Sequence, residues 1–146
     1  MLRVGIFVHI LVVDNNQVLA NFAVKYLLKY GQHTADIALG ADTALTRVLG
    51  GKYDAILTEF RLPHQDVGLN LAKTLRDQGF RGLIIGLVTM PHTFTVEKMT
   101  EMGFNACLQK PLKKAHMGVL AMAPSTVCFE GDDLVYEKYH NNERPS

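Results

Sequence analysis

Short apolar segments alternate regularly with amphipathic segments along this chain, and no other feature of the sequence restricts the fold as strongly. The apolar segments, which read as strands covered on both faces, are 6–13, 34–39, 54–59, 83–88 and 106–109. Helical spacing of apolar residues follows each of them, at 18–30, 42–49, 69–78, from Thr93 or Thr95 to Met102, and at 112–122. Strict alternation of this kind favours an α/β protein with an open, doubly wound parallel sheet and right-handed crossovers.

The size and composition of the chain favour one domain followed by a tail. With 146 residues, of which 48% are hydrophobic, the chain can fill one core but hardly two. We expect a domain over residues 1–122 and a C-terminal tail over residues 123–146. In the tail, residues 126–129 and 134–136 flank an acidic turn and predict a hairpin with a frayed polar end. Because such a hairpin is not stable alone, it either folds back on the domain or pairs with another chain.

Charge and cysteine content argue against several classes of function. The 15 basic and 14 acidic residues give a net charge of +1, which creates no field that would recruit nucleic acid or an anionic membrane. No segment approaches the roughly 18 to 20 apolar residues of a membrane span. The two cysteines, Cys107 and Cys128, are too few for a disulfide framework and suit a reducing compartment, so we expect a cytoplasmic protein.

Polar residues at the ends of the predicted strands form a candidate site. They are Asp14 and Asn15 after the first strand, Glu59 at the end of the third, Thr89 after the fourth and Lys110 after the fifth. Ligands of parallel α/β sheets bind beyond the carboxyl ends of the strands, so these residues should converge. Two carboxylates, a hydroxyl and an ammonium suit phosphoryl transfer, which needs an acceptor, oxygen ligands for magnesium and groups that hold phosphoryl oxygens.

The order of these residues resembles the receiver domain of two-component response regulators, the CheY-like family. The resemblance covers about residues 9–122 and rests on four motifs, Ile-Leu-Val-Val-Asp ending at Asp14, Leu-Thr-Glu-Phe-Arg-Leu-Pro ending at Pro63, Val-Thr ending at Thr89 and Gln-Lys-Pro around Lys110. It implies a flavodoxin-like (βα)5 fold with strand order 2-1-3-4-5. In the family, an acidic pair follows the first strand and an aspartate four residues before a proline accepts the phosphoryl group. A Thr or Ser and a Lys-Pro complete that site.

Several features depart from the family pattern, and all of them concern chemistry. Asn15 stands in place of the second acid of the pair, and Glu59 stands in place of the aspartate acceptor. Cys107 replaces the aromatic residue that lies three positions before the lysine and reports the phosphorylated state. The loop 65–68, which follows Pro63, is one residue longer than the family's usual loop.

These departures predict a site that has lost catalysed phosphorylation. Asn15 removes a negative charge that magnesium prefers, and the additional methylene of Glu59 displaces its carboxylate by roughly 1 to 1.5 Å. Positioning errors on the order of 1 Å can cost about 100-fold in rate. The longer side chain brings the carboxylate towards Lys110 and Thr89. We therefore expect either a partial imitation of the phosphorylated state or a site locked by an ion pair between Glu59 and Lys110.

The resulting hypothesis is an atypical receiver, a pseudo-receiver, that acts by protein–protein contact in two-component or phosphorelay signalling. It is expected to be no enzyme and to hold no cofactor, with magnesium bound weakly or not at all, and then only through Asp14 and Glu59. The resemblance implies an output face on the fourth helix, fifth strand and fifth helix, with Thr89, Cys107 and Pro111 in the switch region. The partners that it implies are a histidine kinase, another signalling protein or a second copy of the chain.

Other interpretations of the same residues stay open. The receiver could still take a phosphoryl group on Glu59 or on a nearby acid such as Asp14. Asp14 could instead serve only as the N-cap of the first helix, and Glu59 could mark an acceptor lost by drift. A small flavodoxin-like cofactor-binding protein is a further alternative. It is disfavoured because Asp14, Asn15 and Asn16 stand where a glycine-rich phosphate loop would be needed.

Overall fold

The residues described in the computed structural model are 8–31, 33–59, 67–88, 96–114, 127–130 and 133–134. The strands are β1 (His9–Val13), β2 (Thr34–Ala38), β3 (Ala55–Glu59), β4 (Leu83–Val88), β5 (Ala106–Gln109), β6 (Val127–Glu130) and β7 (Asp133–Leu134). The helices are α1 (Gln17–Tyr26), α2 (Ala41–Leu49), α3 (Val67–Asp77) and α4 (Val96–Glu101). None of the helices in these ranges has the length and apolar character that a membrane crossing requires.

Some predicted features lie outside the described residues. They are the first residues of the predicted first strand, the loop that contains Pro63, Thr89, the cap at Thr93 or Thr95, most of the predicted helix 112–122 and the boundary between residues 122 and 123. The other predicted strands and helices are present, with ends that differ from the prediction by at most three residues, apart from the C-terminal end of α1.

The strands form one sheet in the order β2-β1-β3-β4-β5-β6-β7. The first five run parallel, so the predicted flavodoxin-like order 2-1-3-4-5 is confirmed. The order of the strands reverses between β1 and β3, and these two strands pair in register, with Val13 opposite Thr58. This is the point of a doubly wound sheet where ligand sites form.

The predicted hairpin of the tail folds back on the domain. β6 pairs parallel with β5, and β7 pairs antiparallel with β6, so the sheet gains two strands beyond the five predicted for the domain. Of the two arrangements that the sequence leaves open for the hairpin, the structure has the intramolecular one. As a consequence, β5 has a neighbouring strand on each side.

Helices cover both faces of the sheet, which explains the continuous apolar sequence of β1. Ile10 and Val12 belong to the core on the side of α1, whereas Leu11 and Val13 belong to the core on the side of α2 and α3. All four are essentially inaccessible to solvent. Burial of one such side chain contributes about 1.5 to 3 kcal/mol, so this strand is the apolar centre of the domain.

α1 differs from the single amphipathic helix that the spacing predicts. The α-helix ends at Tyr26, and a π-helical turn over Leu27–Gly31 follows it. The small residues Ala20 and Ala23 are buried, whereas Val18 and Phe22 are 75% and 54% exposed. The alanines let the helix lie close to the sheet, and the larger residues of the apolar stripe consequently remain at the surface.

Arg76 joins the end of α3 to the amino ends of β4 and β5. Its Nε donates to the Gly103 carbonyl at 2.9 Å, and its Nη1 donates to the carbonyls of Phe80 at 2.9 Å and Gly82 at 2.8 Å. Its Nη2 donates to Asn105 Oδ1 at 2.6 Å. The half-buried guanidinium thus satisfies four acceptors that belong to two loops, the one between α3 and β4 and the one between α4 and β5. Asn105 Oδ1 also accepts from the Ile84 N–H at 2.9 Å, so loss of Arg76 would leave this oxygen one donor but would remove the Arg76 hydrogen bonds of the three carbonyls, which is costly in a partly buried site.

We expect the substitution Arg76→Met to lower the free energy of unfolding by about 3 kcal/mol, because it removes the four hydrogen bonds that Arg76 donates while keeping most of the side-chain length. Urea denaturation followed by circular dichroism measures the loss. Arg47→Met is the matched control, since Arg47 is exposed and donates to one carbonyl, that of Ile37, at 2.7 Å. The control should lose less than about 1 kcal/mol, and equal losses in the two variants would contradict the assignment.

Candidate functional site

Asp14, Glu59 and Lys110 lie together at the carboxyl ends of the parallel strands. Glu59 is the last residue of β3, Asp14 directly follows β1, and Lys110 directly follows β5. The Lys110 ammonium reaches across the end of β4 and donates to Glu59 Oε2. The same nitrogen lies 3.9 Å from Asp14 Oδ2. One cation is therefore shared by two carboxylates that the sheet order brings side by side.

The turn after β1 holds Asp14 in place. The Asp14 N–H donates to the Ala38 carbonyl at 3.1 Å, and Asp14 Oδ1 accepts from the Asn16 N–H at 2.9 Å. Asn16 is the N-cap of α1, because its side chain accepts from the Leu19 N–H at 3.1 Å. The capping role that the sequence leaves open for Asp14 thus belongs to Asn16. Asp14 is a carboxylate only 5% exposed, on the same side as Lys110.

The Glu59 carboxyl is in an environment with opposing electrostatic effects. Its side chain is 14% exposed, and burial raises the pKa of the carboxyl above its ordinary value. The hydrogen bond and the charge of Lys110 act in the opposite direction, whereas the negative charge of Asp14 raises the pKa further. The pKa of Glu59 is raised overall, so burial destabilises the ionised form more than Lys110 stabilises it.

The cluster does not fit a resident magnesium ion. Magnesium requires several oxygen ligands in octahedral geometry, with carboxylate charge to offset its own. Here the Lys110 ammonium takes the position between the Glu59 and Asp14 carboxylates, and one Asp14 oxygen already accepts a backbone hydrogen bond. Within the described ranges, no group of three or more His, Cys, Asp and Glu side chains is arranged to hold a metal ion. The weak binding of magnesium expected from the sequence stays a prediction.

The other predicted site residues are placed differently. Asn15 and Pro111 are exposed, and Thr89 lies outside the described residues. Cys107 is buried in the core between the sheet and helices α2 and α3. The fifth strand was expected to form part of the output face. In the structure, β6 pairs with β5 along its outer side. Backbone groups that pair with β6 are not accessible to a partner.

An apolar groove adjoins the charged cluster. It has a volume of about 450 Å³ and lies between α1 and the segment after β5, where Leu19, Phe22 and Leu112 are among its lining residues. Asp14 and Lys110 form its polar end. Leu19 and Phe22 are about half exposed, so the groove opens to the surface directly beside the carboxylates.

This groove is a feature that reasoning from the sequence misses. The spacing along α1 assigns the same apolar character to every residue of the stripe, and it does not distinguish those that contact the sheet from those that stay exposed. One signal was available, because residues 17–31 contain bulky apolar side chains and two lysines but no acid. A helix that only covers a sheet usually has a charged outer face.

A sequence profile described as the response regulator receiver domain matches residues 10–120 of the chain. The chain belongs to the response regulator receiver family. Receivers are signalling modules of two-component and phosphorelay systems, and the resemblance found in the sequence motifs is thereby confirmed.

Individual relatives agree with this membership. The receiver is 29% identical over 104 residues to the transcriptional regulatory protein DltR of Streptococcus agalactiae, and the match covers 71% of the chain but only 46% of that protein. It is similar to the CheY-like receiver domain from Methylobacillus flagellatus, with 25% identity and a TM-score of 0.64 over 73% of this chain and 89% of that one.

A further structure has the same fold. It is the co-crystal structure of the Saccharomyces cerevisiae histidine phosphotransfer signalling protein Ypd1 and the receiver domain of its downstream response regulator Ssk1. The match has 20% identity and a TM-score of 0.64, and it covers 76% of this receiver and 83% of that chain.

The raised pKa of Glu59 predicts a specific dependence of stability on pH. The folded state holds the proton more tightly than the unfolded state, so the contribution of Glu59 to stability is complete below its ordinary pKa of 4.5 and is lost as the pH rises through the folded value. The variant Glu59→Gln cannot titrate at this position. Its free energy of unfolding, relative to that of the wild type, should therefore increase between about pH 4 and pH 7.

Urea denaturation of both proteins over this pH range measures the difference, and the comparison cancels the titration of all other groups. A relative stability of Glu59→Gln that decreases with rising pH would contradict the assignment. It would mean that the contact with Lys110 outweighs the burial of the carboxylate.

Proposed function

We propose that the chain is a receiver of two-component or phosphorelay signalling that is not phosphorylated and acts by protein–protein contact. The observation that carries the proposal is the contact of Lys110 with Glu59, at the strand end where the family has its aspartate acceptor. The ammonium that would hold a phosphoryl oxygen is instead hydrogen-bonded to a carboxylate of the chain itself.

This contact opposes phosphorylation in two ways. The hydrogen bond of Lys110 to Glu59 Oε2 withdraws charge from the carboxylate that would attack a phosphodonor, and the nearby Asp14 carboxylate would repel the incoming phosphate. The ammonium takes the position that a magnesium ion needs between the carboxylates, and its single charge offsets this repulsion less than a divalent ion would. The chain therefore has polar residues at the same strand ends as the family, but not in the arrangement that phosphoryl transfer requires.

The Glu59–Lys110 pair gives the site a charge that does not depend on a phosphodonor. A phosphorylated receiver has about 1.5 to 2 negative charges and three acceptor oxygens on the transferred group, whereas one carboxylate has a single charge. The pair consequently imitates the phosphorylated state only in part. A receiver with such a site does not switch with a phosphodonor and presents the same surface throughout.

The groove beside α1 is the surface that we propose for the partner. Leu19 and Phe22 line it and are about half exposed, and exposed apolar patches next to polar residues are typical of protein contacts. The two segments that border the groove also contain basic residues, since Lys29, after α1, and Lys114, after β5, lie over the ring of Tyr30 at 5.2 and 4.9 Å. The partner should therefore offer apolar side chains with acidic residues around them.

A histidine phosphotransfer protein or a histidine kinase is the class of partner that this function implies. The receiver of Ssk1 is found with such a phosphotransfer protein in the co-crystal structure with Ypd1. A homodimer through the outer side of β5 is not favoured, because β6 already pairs with that strand. We expect a role in the cytoplasm as an interaction module without enzymatic activity of its own.

The first prediction of this proposal concerns phosphorylation. Incubation of the protein with magnesium and a small-molecule phosphodonor such as an acyl phosphate should leave its intact mass unchanged, because Glu59 is engaged with Lys110 and the ammonium lies where a magnesium ion would have to bind. Mass spectrometry of the intact chain is the measurement. A stoichiometric gain of one phosphoryl group, located on Glu59 or Asp14 by peptide mapping, would refute the proposal in favour of a working receiver.

The double variant Glu59→Asp with Asn15→Asp is the matched positive control. Shortening Glu59 withdraws its carboxylate from Lys110, and Asn15→Asp restores the acidic pair, so the variant should bind magnesium at millimolar concentration in a calorimetric titration. An absence of binding would indicate that the pocket has changed beyond these two residues.

The second prediction concerns the groove. Leu19→Glu should weaken binding to a purified histidine phosphotransfer protein or histidine kinase of the same organism by at least about tenfold, because it places a charge in the apolar contact. Leu49→Glu is the control, since Leu49 is also a helical leucine with 48% exposure but is not among the residues that line the groove. Isothermal titration calorimetry compares the two variants with the wild type, and equal affinities would rule out the groove as the contact surface.

A further inference from the structure

The two cysteines of the chain are direct partners in the sheet. Cys107 in β5 and Cys128 in β6 occupy the same register position of a parallel strand pair. The chain contains two cysteines in all, and the register makes them Cα partners. In the sequence they are far apart, and neither has a neighbouring cysteine that would suggest a pair.

The register is compatible with a disulfide bond. Adjacent strands lie about 4.7 to 4.9 Å apart, and disulfides connect Cα atoms that are usually about 4.4 to 6.8 Å apart. Register partners in neighbouring strands lie on the same face of a sheet. Cys107 belongs to the core on the side of α2 and α3, and its Cα partner in β6 is Cys128.

We propose that Cys107 and Cys128 form a redox-sensitive pair that closes to a disulfide in the presence of a peroxide. One thiol loses its proton, and the thiolate attacks a peroxide oxygen and breaks the O–O bond, which gives a sulfenic acid and a hydroxide that takes up that proton to form water. The second thiol then attacks the sulfenic sulfur, which forms the S–S bond and releases a second water. Two thiols lose two electrons and two protons, and the peroxide is reduced to water.

The consequence is a covalent connection between the C-terminal hairpin and β5. β6 is held to β5 by three register pairs, and β7 contributes only two residues, so the reduced hairpin can open locally. Local opening gives peroxide access to the thiols, and closure brings them together. The disulfide would keep the outer side of β5 covered, three residues before Lys110. This inference does not depend on whether the receiver is phosphorylated.

The experiment uses the full chain, fully reduced and freed of reductant, then treated with hydrogen peroxide. Intact mass should fall by the mass of two hydrogen atoms, the protein should remain monomeric on a non-reducing gel, and a peptide containing Cys107 linked to Cys128 should be recovered. Hydrogen exchange of the amides of residues 127–130 should slow by roughly 30-fold or more, as expected when a disulfide removes the open states of a segment. Reductant should reverse each change.

Cys107→Ala and Cys128→Ser are the controls, and neither should lose mass on peroxide treatment. Addition of oxygen to the wild type without an internal link would overturn the proposal, and so would a disulfide between two chains. An internal disulfide with unchanged exchange at residues 127–130 would refute the proposed tethering of the hairpin. Because the wild type supplies the main measurement, the outcome does not depend on whether the variants fold well.

Discussion

The parallel pairing of β1 with β3 is the constraint on which the functional part of the structure depends. Both strands are buried on their two faces, so their register is determined by the fit of apolar side chains to both cores. This register places the end of β1 beside the end of β3. Asp14, directly after β1, and Glu59, the last residue of β3, therefore lie at the same edge of the sheet. A shift by one residue would move every side chain to the opposite face and would separate the two carboxylates. The acidic site is therefore a product of apolar packing.

The lysine after β5 decides what these carboxylates can do. Two buried acids at a short distance repel each other, and either a metal ion or a basic side chain can offset the repulsion. In this receiver the Lys110 ammonium does so, in contact with Glu59 and 3.9 Å from Asp14. The additional methylene of Glu59 favours the lysine over a metal ion, because it extends the carboxylate towards Lys110. Burial nevertheless raises the pKa of Glu59, so the ion pair compensates the cost of the buried charge only partly.

Two surfaces of the domain are arranged in opposite ways. On one side, the alanines of α1 contact the sheet while Val18 and Phe22 stay exposed, and an apolar groove remains open beside Lys110. On the other side, β6 covers the outer side of β5 with backbone hydrogen bonds. An uncovered strand would offer its backbone groups to any other chain. The structure thus leaves a side-chain surface accessible for a partner and removes a backbone surface from unspecific pairing.

Much of this protein could be predicted from its sequence because the relevant signals are local. The alternation of strands and helices determines the fold class, and the position of Glu59, Asp14 and Lys110 at strand ends determines that they converge. The tertiary structure alone decided three matters. They are the capping of α1 by Asn16, the exposure of the apolar residues of α1, and the pairing of Cys107 with Cys128. Sequence periodicity indicates which residues share a face of a helix or strand. Tertiary packing determines which part of that face is covered, and which strand from a distant part of the sequence pairs with a given strand.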